Sequence, residues 1–400
     1  MIGLLAAHYL RKRGAEVTVL ERGRPGAACS AGNAGWITPS IAVPLPAPGL
    51  LAESLRWMLR ADSPLYIKPS AAPRMLGFLL RFWKHCNARD FNAGAMALST
   101  LAADTMTLYD ELAAEGVAFE SHSDGLLMVF RRAEGLAAEK ALIERLGYGP
   151  LRELDADEVH ALEPALAPGL VGGLHVPPER TVRPEQLCAG AAEHLRRHGV
   201  AIEEGHGVGS FHLEGGRARA VDVAGSQVEA DAFLIATGAE AAGLAGQCGC
   251  LLQLQAGKGY SLTLNEPEVT VRYPLYLGEA KIAVTPFEGV LRVAGTMELS
   301  GINLEPDPRR LAALARAAER EVPGVTAGGG AVEWVGMRPI TPDGLPILGA
   351  LPTCGNVFVA TGHQMLGVTL APSSGRAMAE LIVDGRTEMD LTAFDPGRFG

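Results

Sequence analysis

Apolar spacing divides the chain into elements. Residues 1–21 read MIGLLAAHYLRKRGAEVTVLE, an apolar helix closed by Gly14 and followed by a short β-branched strand, Val17 to Leu20, that ends on Glu21. The next stretch, RGRPGAACSAGNAGWITPSIAVPLPAPGL, is rich in Gly, Pro and Ala, and a loop so apolar is expected to line a site rather than to link domains through solvent. From Leu50 to about Glu120 the spacing is helical, with Leu98, Leu101, Leu108 and Leu112 on one face of a segment ending at Gly116. Pro184 to His198 is predicted as a helix with Pro in its first turn and Gly199 after it. Short strands follow, turning at Gly215-Gly216 and Gly225-Ser226, before a continuous apolar strand, Ala232 to Ala236, runs into Thr237-Gly238. Leu251 to Thr296 is strand-rich, with PFEG as a hairpin connection, and a helix from Arg309 to Glu321 comes next. The last stretch holds GMRPITPDGLPILG, a strand from Val357 to Ala360, and a glycine loop, TGHQMLG, feeding a helix that ends near Gly385.

Helix, glycine, strand and terminal acid in that order form the second half of a Rossmann-like βαβ unit. Gly3 would be the last glycine of G-x-G-x-x-G, and Glu21 the acid that takes ribose hydroxyls. An apolar strand ending in Thr237-Gly238 matches the strand edge at which open α/β sheets bind ligands. The nucleotide-type pattern starts, leaves, returns, leaves and returns, so an α/β enzyme of two interleaved domains is expected rather than two domains in tandem.

Composition narrows the function classes. With 48% hydrophobic and 20% charged residues in 400 the chain is long enough for a sizeable core and two domains. A net charge of −10 provides no basic face for nucleic acid. No apolar run reaches the roughly 18 residues of a spanning helix and no signal peptide is recognised, so a cytoplasmic protein is the default expectation. Six cysteines are too sparse for a disulfide scaffold and form no paired C-x-x-C, and Cys248 and Cys250 are read as packing. His194 and His198 stand at a metal-like spacing without a third ligand, which favours a solvated helix face; no metal is expected.

Eight segments together carry a resemblance: GLLAAHYLRKRGAEVTVLER, SAGNAGWITPS with PAPG, GGLHVPPERTVRPEQL, FLIATGA, LQAGKGYSLTL, AKIAVTPF with LRVAGTMELSG, GMRPITPDGLPILG and ATGHQMLGVTLAPSSG. In this order they resemble the D-amino acid dehydrogenase branch of the FAD-dependent D-amino acid oxidase and glycine oxidase (DAO) family. The resemblance implies a Rossmann-like FAD-binding domain, residues 1–46, 166–245 and 331–393, interleaved with a mixed α+β substrate domain, residues 47–165 and 246–330. It further implies that FAD is held by Gly3, Glu21, Arg22, Asn33, Ala34, Gly35, Thr237, Gly238, Gly362, His363, Met365, Leu366 and Gly367. In this pattern the first Rossmann strand and its first two glycines lie before Met1, and the chain from Met1 onward is expected to bind FAD weakly; Met1 is read as an internal valine codon, with the missing strand encoded just upstream.

The same resemblance implies oxidative deamination of D-amino acids to 2-oxo acids and ammonia by hydride transfer to flavin. Arg338 would pair with the substrate carboxylate, a task suited to a guanidinium fork; the alternative is a structural salt bridge to Asp343 in the same turn. Tyr260 and Trp36 are candidate walls of the substrate cavity or, equally, core aromatics. His363 would hydrogen-bond near the flavin ring or be a satisfied loop histidine. The loop from Gly362 to Gly367 would let backbone approach the ring, with the helix from about Val368 favouring negative charge at its pyrimidine end; the alternative is a glycine turn capping a core helix. Neither a Ser/His/Asp nor a Cys/His arrangement is seen, so no strong base is expected. The electron acceptor is open between oxygen, a quinone and an electron-transfer partner, and at most a peripheral association with the inner membrane is implied. GHQMLGVTLAP departs from the GHGTLGWT associated with broad D-amino acid dehydrogenases, which leaves a specialist for D-proline, D-hydroxyproline or sarcosine as one alternative; the incomplete G-x-G-x-x-G turn leaves a flavin-free inactive subunit as another.

Overall fold

Leu4, Leu5, Ala6, Ala7 and Tyr9 are buried along the helix Ile2–Lys12, and this apolar stripe seats it among its neighbours. Its tightest contact is with the helix Gly367–Asp384, where a side chain on Gly375 would come within 2.8 Å of the backbone of Leu5 and Ala6; only a glycine allows the two helices to approach so closely. The computed structural model describes residues 1–50, 65–68, 70–328 and 330–399.

The helical block expected between Leu50 and Glu120 is more broken than its spacing suggests. Residues 51–64 lie outside the described residues. Leu65–Ile67 is a strand, parallel to Met297–Leu299, and three helices follow: Ala72–His85, Ala88–Ala102 and Thr105–Ala114. Asn87 caps the second of these by accepting from the Asp90 N–H at 3.0 Å. Leu98, Leu101, Leu108 and Leu112 are all buried as the spacing predicts, but on two helices separated at Ala103-Asp104. Ala88–Ala102 and Thr105–Ala114 both pack on the helix Gly367–Asp384.

Parallel pairing occurs where the helix-strand pattern predicts it. Thr18–Glu21 pairs with Ala201–Glu204, and Phe233–Ile235 pairs with Val357–Val359 inside the strand Cys354–Thr361. These parallel pairs belong to two separate small sheets. The helix Pro184–Arg197 buries Leu187, Cys188, Ala191, Ala192 and Leu195 in the same core as Leu4 and Leu5. The segments around Gly215-Gly216 and Gly225-Ser226 form a three-stranded antiparallel meander.

The second layer is a nine-stranded sheet among the described residues. Its order runs Ala331–Ile340, Gln255–Asn265, Val290–Leu299, Ile282–Phe287, Leu275–Leu277, Leu126–Phe130, Gly172–Val176 and Arg152–Leu154, with Leu65–Ile67 beside Val290–Leu299. The PFEG hairpin forms as expected, Phe287 opposing Val290. One face is covered by the helix Pro308–Glu321, whose Leu311, Leu314 and Ala318 pack on Tyr260, Leu262 and Val293. Gly172–Val176 and Ala331–Ile340 are strands of this large sheet, held there by long-range ladders that local spacing does not encode.

Candidate active site

Period-two alternation along one strand builds the floor of the site. In Gln255–Asn265, Gly257 and Gly259 face one way while Lys258 and Tyr260 face the other. Gly259 pairs directly with Gly336 of the neighbouring strand Ala331–Ile340, where Trp334, Gly336 and Arg338 share a face. A Cβ on Gly336 would lie 2.0 Å from the Trp334 ring, and one on Gly259 would lie 2.3 Å from the Arg338 guanidinium carbon. Bare backbone thus forms a floor, with an indole over one part and a guanidinium over another.

Arg338 stands in the strand itself, not in the proline-stiffened turn after it. One Nη donates to the Thr296 carbonyl at 2.6 Å, and no carboxylate lies within ion-pair distance among the described residues. The salt bridge to Asp343 is not formed, because Asp343 accepts from Arg398 at 2.7 and 3.1 Å. Burial pushes the Arg338 guanidinium below its ordinary value, so an uncompensated cation faces the glycine floor. Burial likewise raises the nearby Cys29 thiol, and Arg338 acts in the opposite direction.

Tyr260 does not line this face. It is wholly buried on the opposite side of the strand, where its hydroxyl donates to Glu298 at 2.6 Å. Burial, then Glu298, raises its phenol. Lys258 and Arg310 approach the same carboxylate at 3.8 and 3.7 Å, which makes Tyr260 part of a buried polar cluster beneath the helix Pro308–Glu321. Trp36 is also committed, donating to the Thr285 hydroxyl at 2.9 Å and meeting Tyr276 edge-on.

The loop expected to hold the cofactor docks against the Arg338 face. Gly32 abuts the Trp334 ring, which a Cβ would enter at 2.0 Å. The Asn33 side chain accepts from the Gly35 N–H at 2.8 Å and closes a turn in which Gly35 has φ +80°, with Ala34 between them. Arg292, buried on the adjacent strand, donates to the carbonyls of Ala31 and Asn33 at 3.1 and 3.0 Å and pairs with Glu185 at 2.8 Å. This clamp, like Trp334 and the paired glycines, was not found from sequence. Its signal is present only as alternation, Trp334-x-Gly336-x-Arg338 facing Gly257-x-Gly259, and needs the strand pairing to be read.

The remaining expected positions converge through short links. Gly3 approaches Ala236, where a Cβ would meet Ala236 Cβ at 3.1 Å, and thereby joins the first helix to the strand ending at Thr237-Gly238. Arg22 forms a two-pronged bond to Glu240 at 2.7 and 3.0 Å, just beyond Gly238, while Glu21 caps its own turn by accepting from Gly23 N–H at 2.8 Å. The Thr361 hydroxyl donates to the Gly238 carbonyl at 2.8 Å, so Gly238 and Gly362 are neighbours. Gln364 N–H donates to the Pro339 carbonyl at 3.1 Å, which brings the loop Gly362–Gly367 beside Arg338. His363 is buried with its Nε2 on Ser374 Oγ at 3.0 Å, and burial lowers it to about 3. Burial thus favours the neutral imidazole, whose Nε2 ties the loop to the helix.

The backbone around these links fits a flavin dinucleotide. The helices Ile2–Lys12 and Gly367–Asp384 have no side-chain N-cap and no acid in the first turn, so their leading N–H groups and positive dipole ends are free for polar or anionic oxygens. Gly238 has nothing within 4 Å of a built Cβ and Gly367 only the His363 Cβ at 4.0 Å, leaving backbone approachable at both turns. Met365 is exposed at the loop tip, and Leu366 packs inward.

Comparison with known proteins shows the family of the chain and the likeness of its fold. Residues 1–381 match the family described as FAD dependent oxidoreductase (DAO). The chain is 35% identical over 402 aligned positions, 96% of this chain and 90% of the relative, to a D-amino acid dehydrogenase of Cereibacter sphaeroides. In fold it is similar to glycine oxidase from Geobacillus kaustophilus, with 24% identity, a TM-score of 0.77 and coverage of 99% and 96% of the two chains. It is also similar to L-proline dehydrogenase from P. horikoshii, with 18% identity, a TM-score of 0.77 and coverage of 100% and 95%.

Proposed function

Because the chain belongs to the FAD dependent oxidoreductase family, we propose that it deaminates D-amino acids oxidatively, giving 2-oxo acids and ammonia. The observation that carries the reading is the Arg338 guanidinium, which has no carboxylate partner among the described residues and lies over the Gly259 backbone. A half-buried cation left without an anion calls for one from the substrate, and the planar fork matches a carboxylate. FAD, when bound, supplies the two-electron acceptor. The residues suited to hold it are Gly3, Thr237, Gly238, the loop Gly32–Gly35 and Gly362–Gly367.

The chain's own groups have an orienting part. Arg338 fixes the carboxylate, the glycine floor admits the rest of the substrate close to backbone, and Trp334 closes one side. Among the described residues no group on this face is poised as a strong base: burial favours neutral His363, which is tied to Ser374, and Tyr260 lies on the far face. A substrate amine that enters deprotonated needs none, and water hydrolyses the resulting imino acid to the 2-oxo acid and ammonia. The D preference is supported by the relatives' activity at 35% identity. The test is to incubate the FAD-loaded protein with D- or L-alanine and an artificial dye: pyruvate and ammonia from the D form support the reading, and none from either form refutes it.

We also infer that electrons leave to a quinone or electron-transfer partner at a membrane surface. The support is the helix Ala72–His85, which exposes Leu76, Leu80 and Trp83 one turn apart, carries Arg74, Arg81 and Lys84, and has no acidic residue in a chain of net charge −10. Such a face suits an anionic lipid interface. Among the described residues, no helix is long and apolar enough to cross a membrane.

A further inference from the structure

The strand Val290–Leu299 changes register where it passes the glycine floor: Lys258 opposes Glu298 but Tyr260 opposes Gly295, so Thr296 and Met297 together oppose the single residue Gly259. This is a β-bulge, and bulges beside sites re-aim the groups they carry. At the bulge Thr296 has φ +57°. A β-branched residue is disfavoured in that left-handed region, which Gly or Asn would enter at less cost. The conformation sets the Thr296 carbonyl on Arg338 at 2.6 Å. That carbonyl comes from the backbone, however, and any residue would supply it, so it does not account for a threonine.

The side chain adds a second cost. Thr296 Oγ1 is shielded from solvent and has no hydrogen-bond partner. A buried hydroxyl left unmade is as unfavourable as the backbone strain, and both fall on one residue in direct contact with the candidate carboxylate-binding arginine. Strain and orphaned polar atoms concentrated in this way mark sites whose partner is a ligand.

We infer that Thr296 is a substrate-binding residue whose hydroxyl donates a hydrogen bond to the substrate carboxylate beside the Arg338 fork. A carboxylate offers about four acceptor positions, more than the guanidinium fills with one of its nitrogens already turned to the Thr296 carbonyl. The hydroxyl takes one of the remainder, so that in this inference the carbonyl of Thr296 serves one partner of the ion pair and its hydroxyl the other. This inference rests on the reading of Arg338 as the carboxylate anchor.

The experiment uses the FAD-loaded protein and propionate, which has the carboxylate of alanine without its amine; binding is followed by the change in flavin absorbance, with melting temperature measured alongside. Thr296→Val should weaken propionate about tenfold or more, the value of a hydrogen bond to a charged group, and raise KM for D-alanine more than it lowers kcat. Thr296→Ser should bind as the wild type does. Thr296→Gly relieves the backbone strain, so it should melt at the same or a higher temperature while binding as weakly as the valine variant. Wild-type binding by the glycine variant, or weak binding by the serine variant, overturns the inference. Arg338→Ala separates the two readings: if it weakens propionate and the glycine variant does not, only the role of Thr296 fails, and if it leaves propionate unchanged, the anchor itself is refuted.

Discussion

The Arg338 guanidinium lies over the backbone of Gly259, so close that a Cβ on Gly259 would come within 2.3 Å of its central carbon and within 2.6 Å of both terminal nitrogens. Gly259→Ala must therefore push the fork out of position without touching any group expected to hold FAD. Steady-state kinetics should show kcat/KM for a D-amino acid falling on the order of 100-fold, as misplacements of about 1 Å do, with the flavin-to-protein ratio unchanged. Wild-type kinetics in this variant would mean that the arginine is not the anchor.

Much of this frame was legible in the sequence. The opening helix and strand, the PFEG hairpin, the strand before Thr237-Gly238 and the last glycine loop all form within a few residues of where apolar spacing and turn chemistry place them. Local pattern is sufficient for such elements because caps, turns and periodicity act over short separations. The facing of Tyr260 was not legible. Alternation puts it opposite Gly259, but which face meets the site depends on pairing with residues 35 and 75 positions away. Asp343 took Arg398, 55 residues on, in place of its near neighbour Arg338, and the helix pair broken at Ala103-Asp104 packs on the distant helix Gly367–Asp384. Each of these outcomes was decided by long-range packing.

Arg292 ties the loop at Asn33 to the large sheet and pairs with Glu185, which keeps a second partner in Arg183 at 3.0 Å. Replacing Arg292 by Met removes the loop's anchor and leaves the half-buried Glu185 carboxylate with Arg183 as its partner. A loss of about 1–3 kcal/mol in stability is expected from the lost charge-assisted hydrogen bonds, together with weaker FAD binding. Denaturant melts and FAD titration measure the two separately; unchanged FAD affinity would show that the loop does not depend on this clamp.

Burial raises Glu179 to about 7, with Ser40 N–H as a partner for one carboxylate oxygen at 2.9 Å and none for the other. A carboxyl with a raised folded-state value stabilises the fold fully below its unfolded value near 4.5 and loses that contribution as pH rises through 7. For Glu179 the loss is on the order of 3 kcal/mol. Melting temperature should therefore fall between pH 5 and 8, and Glu179→Gln, which mimics the protonated form, should flatten that part of the profile. An identical slope in the variant would place the pH dependence elsewhere.

The exposed Leu76, Leu80 and Trp83 face predicts sedimentation with vesicles that contain anionic lipid and little with purely zwitterionic ones. Leu80→Asp should abolish the association at low salt without changing activity toward a soluble dye. Equal binding to both vesicle types, or none to either, would remove this face as a membrane contact.

The central claim is that this chain oxidises D-amino acids with the carboxylate held by Arg338, and anaerobic stopped-flow mixing of the FAD-loaded protein tests it most directly. Flavin absorbance should bleach with D-alanine far faster than with L-alanine; D-proline, D-hydroxyproline, sarcosine and glycine in the same panel define the substrate range. Arg338→Ala should slow the D-alanine reaction by the 2–5 kcal/mol that an unpaired carboxylate costs, at unchanged flavin content. Equal bleaching by both enantiomers, bleaching by no amine, or a wild-type rate in Arg338→Ala would contradict the account.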